Sequence, residues 1–171
     1  VSGSANATGV TFDEVGIITI SADSADYLGS GAVSGTSGNI GRFTPKYLLV
    51  EAFNQLPACS GIFTYAQQPF SISATIRGVK QDGITTSNYV DGFAKLRASD
   101  IALAVSIGTG TLTATPAALN FISGSTPLSA TNSRYGWGSP HDPENATLAI
   151  SGADSDSVPL SRHSGDDSCN Q

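Results

Sequence analysis

The sequence has no methionine, only two cysteines, two histidines and one tryptophan, and 8 Lys or Arg against 14 Asp or Glu in 171 residues. Each scarcity excludes something. Nucleic-acid binding needs a basic footprint that displaces counterions from phosphates. With a net charge of −6, and with Arg42, Lys46, Arg77, Lys80, Lys95 and Arg97 dispersed, no footprint of that kind exists. The same balance disfavours anionic membrane surfaces. No apolar run nears the roughly 20 residues of a helical bilayer span, so membrane insertion is not expected. No basic, apolar leader stands at Val1, as in a mature product or an excised fragment. Charged residues make up 13% of the chain, about half the usual share of a soluble domain. Low charge with an acidic balance suits a secreted or surface protein.

Two cysteines are too few for a zinc site made of cysteines alone. Cys59 and Cys169 either form one disulfide or stand as separate thiols. A bridge over a loop on the order of a hundred residues contributes about 4.7 kcal/mol in the chain-entropy model. It would also point to an oxidising compartment.

What is present is β pattern throughout. Residues 16–22 (GIITISA) are β-branched and bounded by turn-formers. Residues 45–53 open on Pro45, which a strand entrance tolerates. In 69–79, Phe70, Ile72, Ala74 and Ile76 alternate with Ser71, Ser73, Thr75 and Arg77, one apolar and one wet face. Residues 101–107 and 111–115 flank Gly108-Thr109-Gly110 and read as a hairpin. Residues 119–122 and 147–151 are weaker strands, and 94–105 carries some helical propensity. Short strands with Gly- and Ser-rich turns predict an all-β, antiparallel, immunoglobulin-like β-sandwich. No βαβ alternation supports a doubly wound sheet. Phe43, Phe53, Phe63, Tyr65, Phe70 and Phe93 mark the middle third as the centre of the fold.

Composition shifts divide the chain into three parts. Residues 1–41 read as terminal strands of a preceding sandwich module plus a Gly/Ser-rich linker at 30–41. Residues 42–132 read as the main sandwich, and 133–171 as a polar, extended segment.

Candidate chemistry is sparse. His141 and His163 lie in the polar C-terminal third, and no G-x-S-x-G elbow singles out a nucleophilic serine. Asp13-Glu14, Asp23 with Asp26, Asp154 with Asp156 and Asp166-Asp167 sit beside turns, where Asp bonds its own backbone. Calcium takes six to eight oxygens, and Asp154 and Asp156 are the candidate ligands, although no EF-hand spacing surrounds them. Tyr135 and Trp137, among Asn132, Arg134, His141 and Asp142, form a candidate glycan-binding surface. Asn6-Ala7-Thr8 and Asn145-Ala146-Thr147 are glycosylation sequons.

An ordered series of landmarks carries a family resemblance. It runs Phe12-Asp13-Glu14-Val15-Gly16, Asp26-Tyr27-Leu28-Gly29, Gly41-Arg42-Phe43-Thr44-Pro45, Cys59-Ser60-Gly61-Ile62-Phe63-Thr64-Tyr65, Gln68-Pro69-Phe70, Asn88-Tyr89 and Gly92-Phe93-Ala94-Lys95-Leu96. Arg134-Tyr135-Gly136 and Asp166-Asp167-Ser168-Cys169 follow. The series resembles the uncharacterised domain near the C-terminal end of MshQ-like proteins, which are associated with biogenesis of the mannose-sensitive haemagglutinin type IV pilus in Gram-negative bacteria. After Arg134-Tyr135-Gly136 the chain departs from the family pattern at Trp137-Gly138-Ser139-Pro140-His141.

The resemblance implies an extracellular, non-enzymatic structural or adhesive module whose partners are other pilus or surface-protein modules. Self-association through inter-chain strand pairing, as in a filament subunit, is one alternative. A carbohydrate-binding module is the other. No cofactor is expected beyond calcium.

Overall fold

The computed structural model describes residues 6–57 and 65–162. Cys59, Cys169, His163, Asp166 and Asp167 lie outside the described residues, so the disulfide expectation does too. The described residues form eleven strands: β1 (Gly16–Ile18), β2 (Ser21–Ser24), β3 (Val33–Thr36), β4 (Ile40–Phe43), β5 (Tyr47–Leu56), β6 (Phe70–Val79), β7 (Ile101–Ile107), β8 (Thr111–Thr113), β9 (Ser125–Gly136), β10 (Thr147–Gly152) and β11 (Leu160–Arg162). No α-helix occurs among the described residues. Where 94–105 carries helical propensity, a single 3-10 turn at Ala98–Asp100 leads directly into β7.

The main layer is a five-stranded sheet in the order β11-β5-β6-β9-β8, antiparallel except for the parallel β11–β5 pair. The antiparallel pair β7–β10 forms the facing layer. β6 is central because its alternation holds: Phe70, Ile72, Ala74 and Ile76 are all buried. Each fully buried Ile or Leu contributes about 1.5–3 kcal/mol of transfer free energy. Leu48, Val50, Leu128 and Ala130 from β5 and β9 meet Ile101 and Leu148 from the facing layer. Loop residues Tyr89, Leu96, Phe121 and Val158 complete the core. The fold is all-β and sandwich-like, with one broad sheet covered by a narrow one and by ordered loops.

Register shifts occur in four strand pairs among the described residues, and those in β5 and β9 reset the inward positions of the main sheet. In β5 the register slips between Glu51 and Asn54, and Ala52 has a positive φ of 51°. Inward positions therefore jump from Val50 to Phe53, which keeps Phe53 in the core. A second bulge in β9 does the same beside the candidate site.

The 108–110 turn is not a hairpin. β7 pairs with β10 and β8 pairs with β9, so the chain crosses between layers at this turn. Residues 119–122 form no strand beyond a single bridge from Ile122 to Ser125. Of the expected aromatic centre, Phe53 and Phe70 are buried and Phe93 is partly buried, whereas Tyr65 is 69% exposed. Phe43 instead packs on Phe12, with ring centroids 5.1 Å apart. Phe63 lies outside the described residues. The largest anchor is Tyr89, edge-on to Phe121 at 4.9 Å.

Residues 16–43 run out and back as one ribbon, β1 pairing with β4 and β2 with β3. Every residue of β2 and β3 is exposed. The tip closes on Asp26, whose carboxylate accepts the amides of Gly29 at 3.2 Å and Gly31 at 3.0 Å. The Gly/Ser-rich stretch 30–41 is therefore the return arm of a ribbon and not a linker. The expected boundaries at 41/42 and 132/133 fall inside β4 and β9.

Three contacts hold the ribbon base to the sandwich. Val15 is buried in the core. The Glu14 carboxylate accepts the Ser87 amide and hydroxyl, both at 2.9 Å, and the Asn88 amide at 3.1 Å. Burial pushes the Glu14 pKa up, but the amides of Asn88 and Ser87 outweigh it and hold it below the usual value. Arg42 Nε lies 2.7 Å from Asp156 Oδ2, and its guanidinium covers the Phe93 ring at 5.3 Å.

Candidate functional site

The β9 bulge builds the site. Thr126, Leu128 and Ala130 point inward, and the register then slips against β6 between Ile72 and Phe70. Asn132 adopts φ 57°, a left-handed conformation that Asn tolerates better than other side chains. The slip turns Ser133 and Tyr135 to the core side. Replacing Asn132 with Val should cost about 1–2 kcal/mol in urea unfolding. Asn132→Gly should be near neutral, since glycine accepts positive φ without strain. Equal costs for the two variants would show that backbone conformation is not what Asn132 supplies.

Tyr135 inserts against the crossover turn 108–110. A Cβ added at Gly110 would meet the Tyr135 ring at 2.6 Å, and one at Gly108 would meet its hydroxyl at 2.6 Å. Gly108 also has φ 123°. The two glycines are thus required by close approach of the phenol as well as by the turn itself.

Five side chains converge here. Glu144 Oε1 accepts the amide of Thr109 at 2.8 Å and that of Gly110 at 3.2 Å, together with a short hydrogen bond from the Tyr135 hydroxyl. Glu144 Oε2 accepts the Thr109 hydroxyl at 2.9 Å. Trp137 Nε1 donates to Thr109 Oγ1 at 3.0 Å. The Trp137 ring stacks on His141, 4.6 Å between centroids and 2° between planes, and meets Tyr135 edge-on at 5.4 Å. His141 Nδ1 donates to the Asp142 carbonyl at 2.7 Å, and its Nε2 lies 3.3 Å from Thr109 Oγ1.

The electrostatics follow from this geometry. The Tyr135 hydroxyl, with the Thr109 and Gly110 donors, holds the Glu144 carboxyl down at about 2 against the opposing effect of burial. Burial, with the Glu144 carboxylate as acceptor, pushes the Tyr135 phenol up.

A hydroxyl, an imidazole and a carboxylate within hydrogen-bonding reach have the composition of a nucleophile, base and acid, but the connections differ. The imidazole is oriented by a backbone carbonyl. The carboxylate takes the hydroxyl proton itself and also occupies the two amides that could stabilise an oxyanion. The cluster is a polar knot that ties the 137–144 loop to the crossover turn.

Of the residues singled out from sequence, Tyr135, Trp137 and His141 come together. Arg134 instead donates to the Gln67 carbonyl. Thr109 and Glu144 were not foreseen. The only local signal was the glycine on each side of Thr109.

Asp154 and Asp156, the candidate calcium ligands, both bond protein groups. Asp154 is 5% exposed; its Oδ1 accepts the Asp156 amide at 2.9 Å and the Val158 amide at 3.0 Å. Its Oδ2 accepts the Tyr89 hydroxyl at 2.6 Å. Asp156 bonds Arg42. Both carboxylates thus face protein donors, and no group of three or more candidate metal ligands occurs among the described residues.

Comparison with known families matches residues 14–170 to the model described as DUF6701, third domain. The chain belongs to this family. No curated protein and no solved structure matches it. The DUF6701 third-domain match starts at Glu14, the residue that clamps the ribbon, and runs past β11. Ribbon, sandwich and aromatic knot therefore all fall within one family domain, across both boundaries expected from composition.

Proposed function

We propose that this DUF6701 third domain is a non-enzymatic, extracellular structural or adhesive module of a pilus-associated surface protein of the MshQ-like kind, in a Gram-negative bacterium. The ordered landmarks from Phe12 to Leu96 support the pilus association. The observation that carries the structural role is the ribbon. A two-stranded ribbon is marginal by itself, and β2 and β3 are exposed on both faces.

Natural sheet edges are protected by Lys, Pro or bulges, and the ribbon has a register shift only at its base, between Gly16 and Ile18. Residues 16–41 contain no Lys, Arg, His or Pro, while Ile17, Ile20 and Val33 are 46%, 44% and 52% exposed. The ribbon is the contact to the neighbouring module of the same protein.

Hydrogen exchange tests this. Amides of residues 20–37 should be slower to exchange in the longer protein than in the isolated chain, and equal rates would sink the reading. A self-assembling filament subunit is the second reading, favoured by the same open edges. Light scattering after size exclusion should show a monomer. Ordered multimers, abolished when 20–37 is replaced by an Asn-Gly turn, would favour the filament. The carbohydrate-binding reading has the Tyr135–Trp137 pair in its favour, although the polar groups of that pair are bonded within the knot.

A further inference from the structure

The outer face of the five-stranded sheet, away from both the ribbon and the knot, holds a cleft of about 480 Å³, within the roughly 300–1,000 Å³ usual for small-molecule sites. Its floor is Leu49, which is 8% exposed yet stands outside the core cluster. Tyr47 rises beside it, and the turn at 81–83 overhangs the end of β6. Gly83 adopts φ 82° there, and a Cβ at that position would sit 4.0 Å from the Tyr47 hydroxyl.

The walls are polar and fixed. Arg77 stands opposite Leu49 across the β5–β6 pair. Its Nε donates to Glu51 Oε1 at 2.8 Å and its Nη2 to Glu51 Oε2 at 3.0 Å, while Nη1 donates to Thr85. A guanidinium has five N–H groups, so these three bonds leave two unused. The Tyr47 hydroxyl and the Gln81 amide make no side-chain hydrogen bond among the described residues. Charges cancel in pairs, Arg77 with Glu51 and Lys80 with Asp82 at 3.8 Å.

We infer that this cleft is a binding site for a neutral polyhydroxylated ligand, a short saccharide. Its surplus is directional: donors from Arg77, a donor and acceptor from Tyr47, and both from the Gln81 amide, above one apolar floor. Arg77 is paired with Glu51, and Lys80, just outside the lining, stands beside Asp82, so no unpaired cation faces the cleft. Hydroxyls spaced around an apolar ring face match that arrangement. The inference does not rest on the structural or adhesive role proposed above.

The test is a titration of the labelled chain, followed by its backbone amide resonances. The probes are cellotetraose, maltotetraose and triacetylchitotriose, each to about 10 mM. At least one should shift amides in 47–51 and 77–83 and saturate in the millimolar range. Tyr47→Phe and Gln81→Ala, both at solvent-facing positions, should each weaken that binding about fivefold, the loss of one neutral hydrogen bond. Their unchanged thermal melts would show that the fold is kept.

Three outcomes overturn the inference of a saccharide site, and a fourth overturns its neutrality. One is no saturable shift with any of the three probes, and another is unchanged affinity in the Tyr47→Phe, Gln81→Ala double variant. The third is shifts confined to 135–144, which would return glycan binding to the aromatic knot. A sialylated trisaccharide binding more tightly than all three neutral probes would also overturn the neutral-ligand assignment.

Discussion

Replacing Tyr89 with phenylalanine is expected to lower the unfolding free energy by about 2–4 kcal/mol while leaving the fold intact. Tyr89 is fully buried, and its hydroxyl is the centre of a four-group junction. It donates to Asp154 Oδ2 at 2.6 Å and accepts the amides of Lys95 and Leu96, both at 3.2 Å. Burial, reinforced by the adjacent Asp154 carboxylate, drives the phenol pKa far up, so it serves as a neutral donor at any accessible pH. Phenylalanine keeps the ring against Phe121 and removes only the oxygen. The buried Asp154 oxygen then loses its donor, at about 1–3 kcal/mol for a group left unsatisfied, and the two amides, at a longer 3.2 Å, together add about 1 kcal/mol.

For a domain of this length the midpoint should fall by about 6–12 °C. Because the surface exposed on unfolding is unchanged, the urea m-value should not move. Asp154→Ala should cost at least as much. Asp154 also holds the amides of Asp156 and Val158 and so shapes the turn that brings β11 beside β5. In a double-mutant cycle the two sites should couple by about 1–3 kcal/mol. A loss below about 0.5 kcal/mol for Tyr89→Phe would mean that water replaces the hydroxyl and that the junction is not sealed.

This junction also shows why some of the molecule was legible in sequence and some was not. β6 announces itself by its apolar alternation, and β5 and β7 by apolar runs, whereas β10 gives only a weak local pattern. β9 is the longest strand and left no such signal. Pro127 lies within it, tolerated where β8 no longer covers the strand, and the Asn132 bulge breaks the alternation after Ala130. β11 has only three residues and pairs in parallel with a strand more than a hundred positions earlier, so nothing near it predicts the pairing.

The partners of the aspartates were hidden for a related reason. Asp154 and Asp156 read from sequence as turn residues with oxygen to offer a cation, because Tyr89 and Arg42 are far away in the chain. Tyr135 and Trp137 could be singled out because aromatic residues are rare in that polar stretch. Glu144 and Thr109 could not, since their bond spans 35 positions with no motif at either end.

Glu144 carries the last expectation, an acid-induced release of the aromatic knot. Its carboxyl lies at about 2 in the folded chain against an ordinary 4.5, so the folded state binds fewer protons than the unfolded state between those values. A depressed carboxylate contributes fully above the upper value and loses its contribution as pH falls through the lower one. The knot should therefore be intact at pH 5 and above, weaken below about 4.5, and be open near pH 2. Trp137 is the only tryptophan in the chain, and its ring is held by His141, Tyr135 and Thr109. Its emission and near-ultraviolet dichroism should change across that window.

The Glu14 clamp is also a carboxyl held below its usual value, so the variant Glu144→Gln isolates the effect. Glutamine keeps one acceptor for the Thr109 and Gly110 amides but brings an NH₂ donor in place of the second oxygen. Its Trp137 signal at neutral pH should already resemble that of the acid form and should stay flat between pH 5 and 2. A wild-type signal unchanged across the window would show that protonating Glu144 leaves Trp137 in place. A variant with the wild-type transition would assign the change to another carboxylate, and the knot would then be held by ring packing alone.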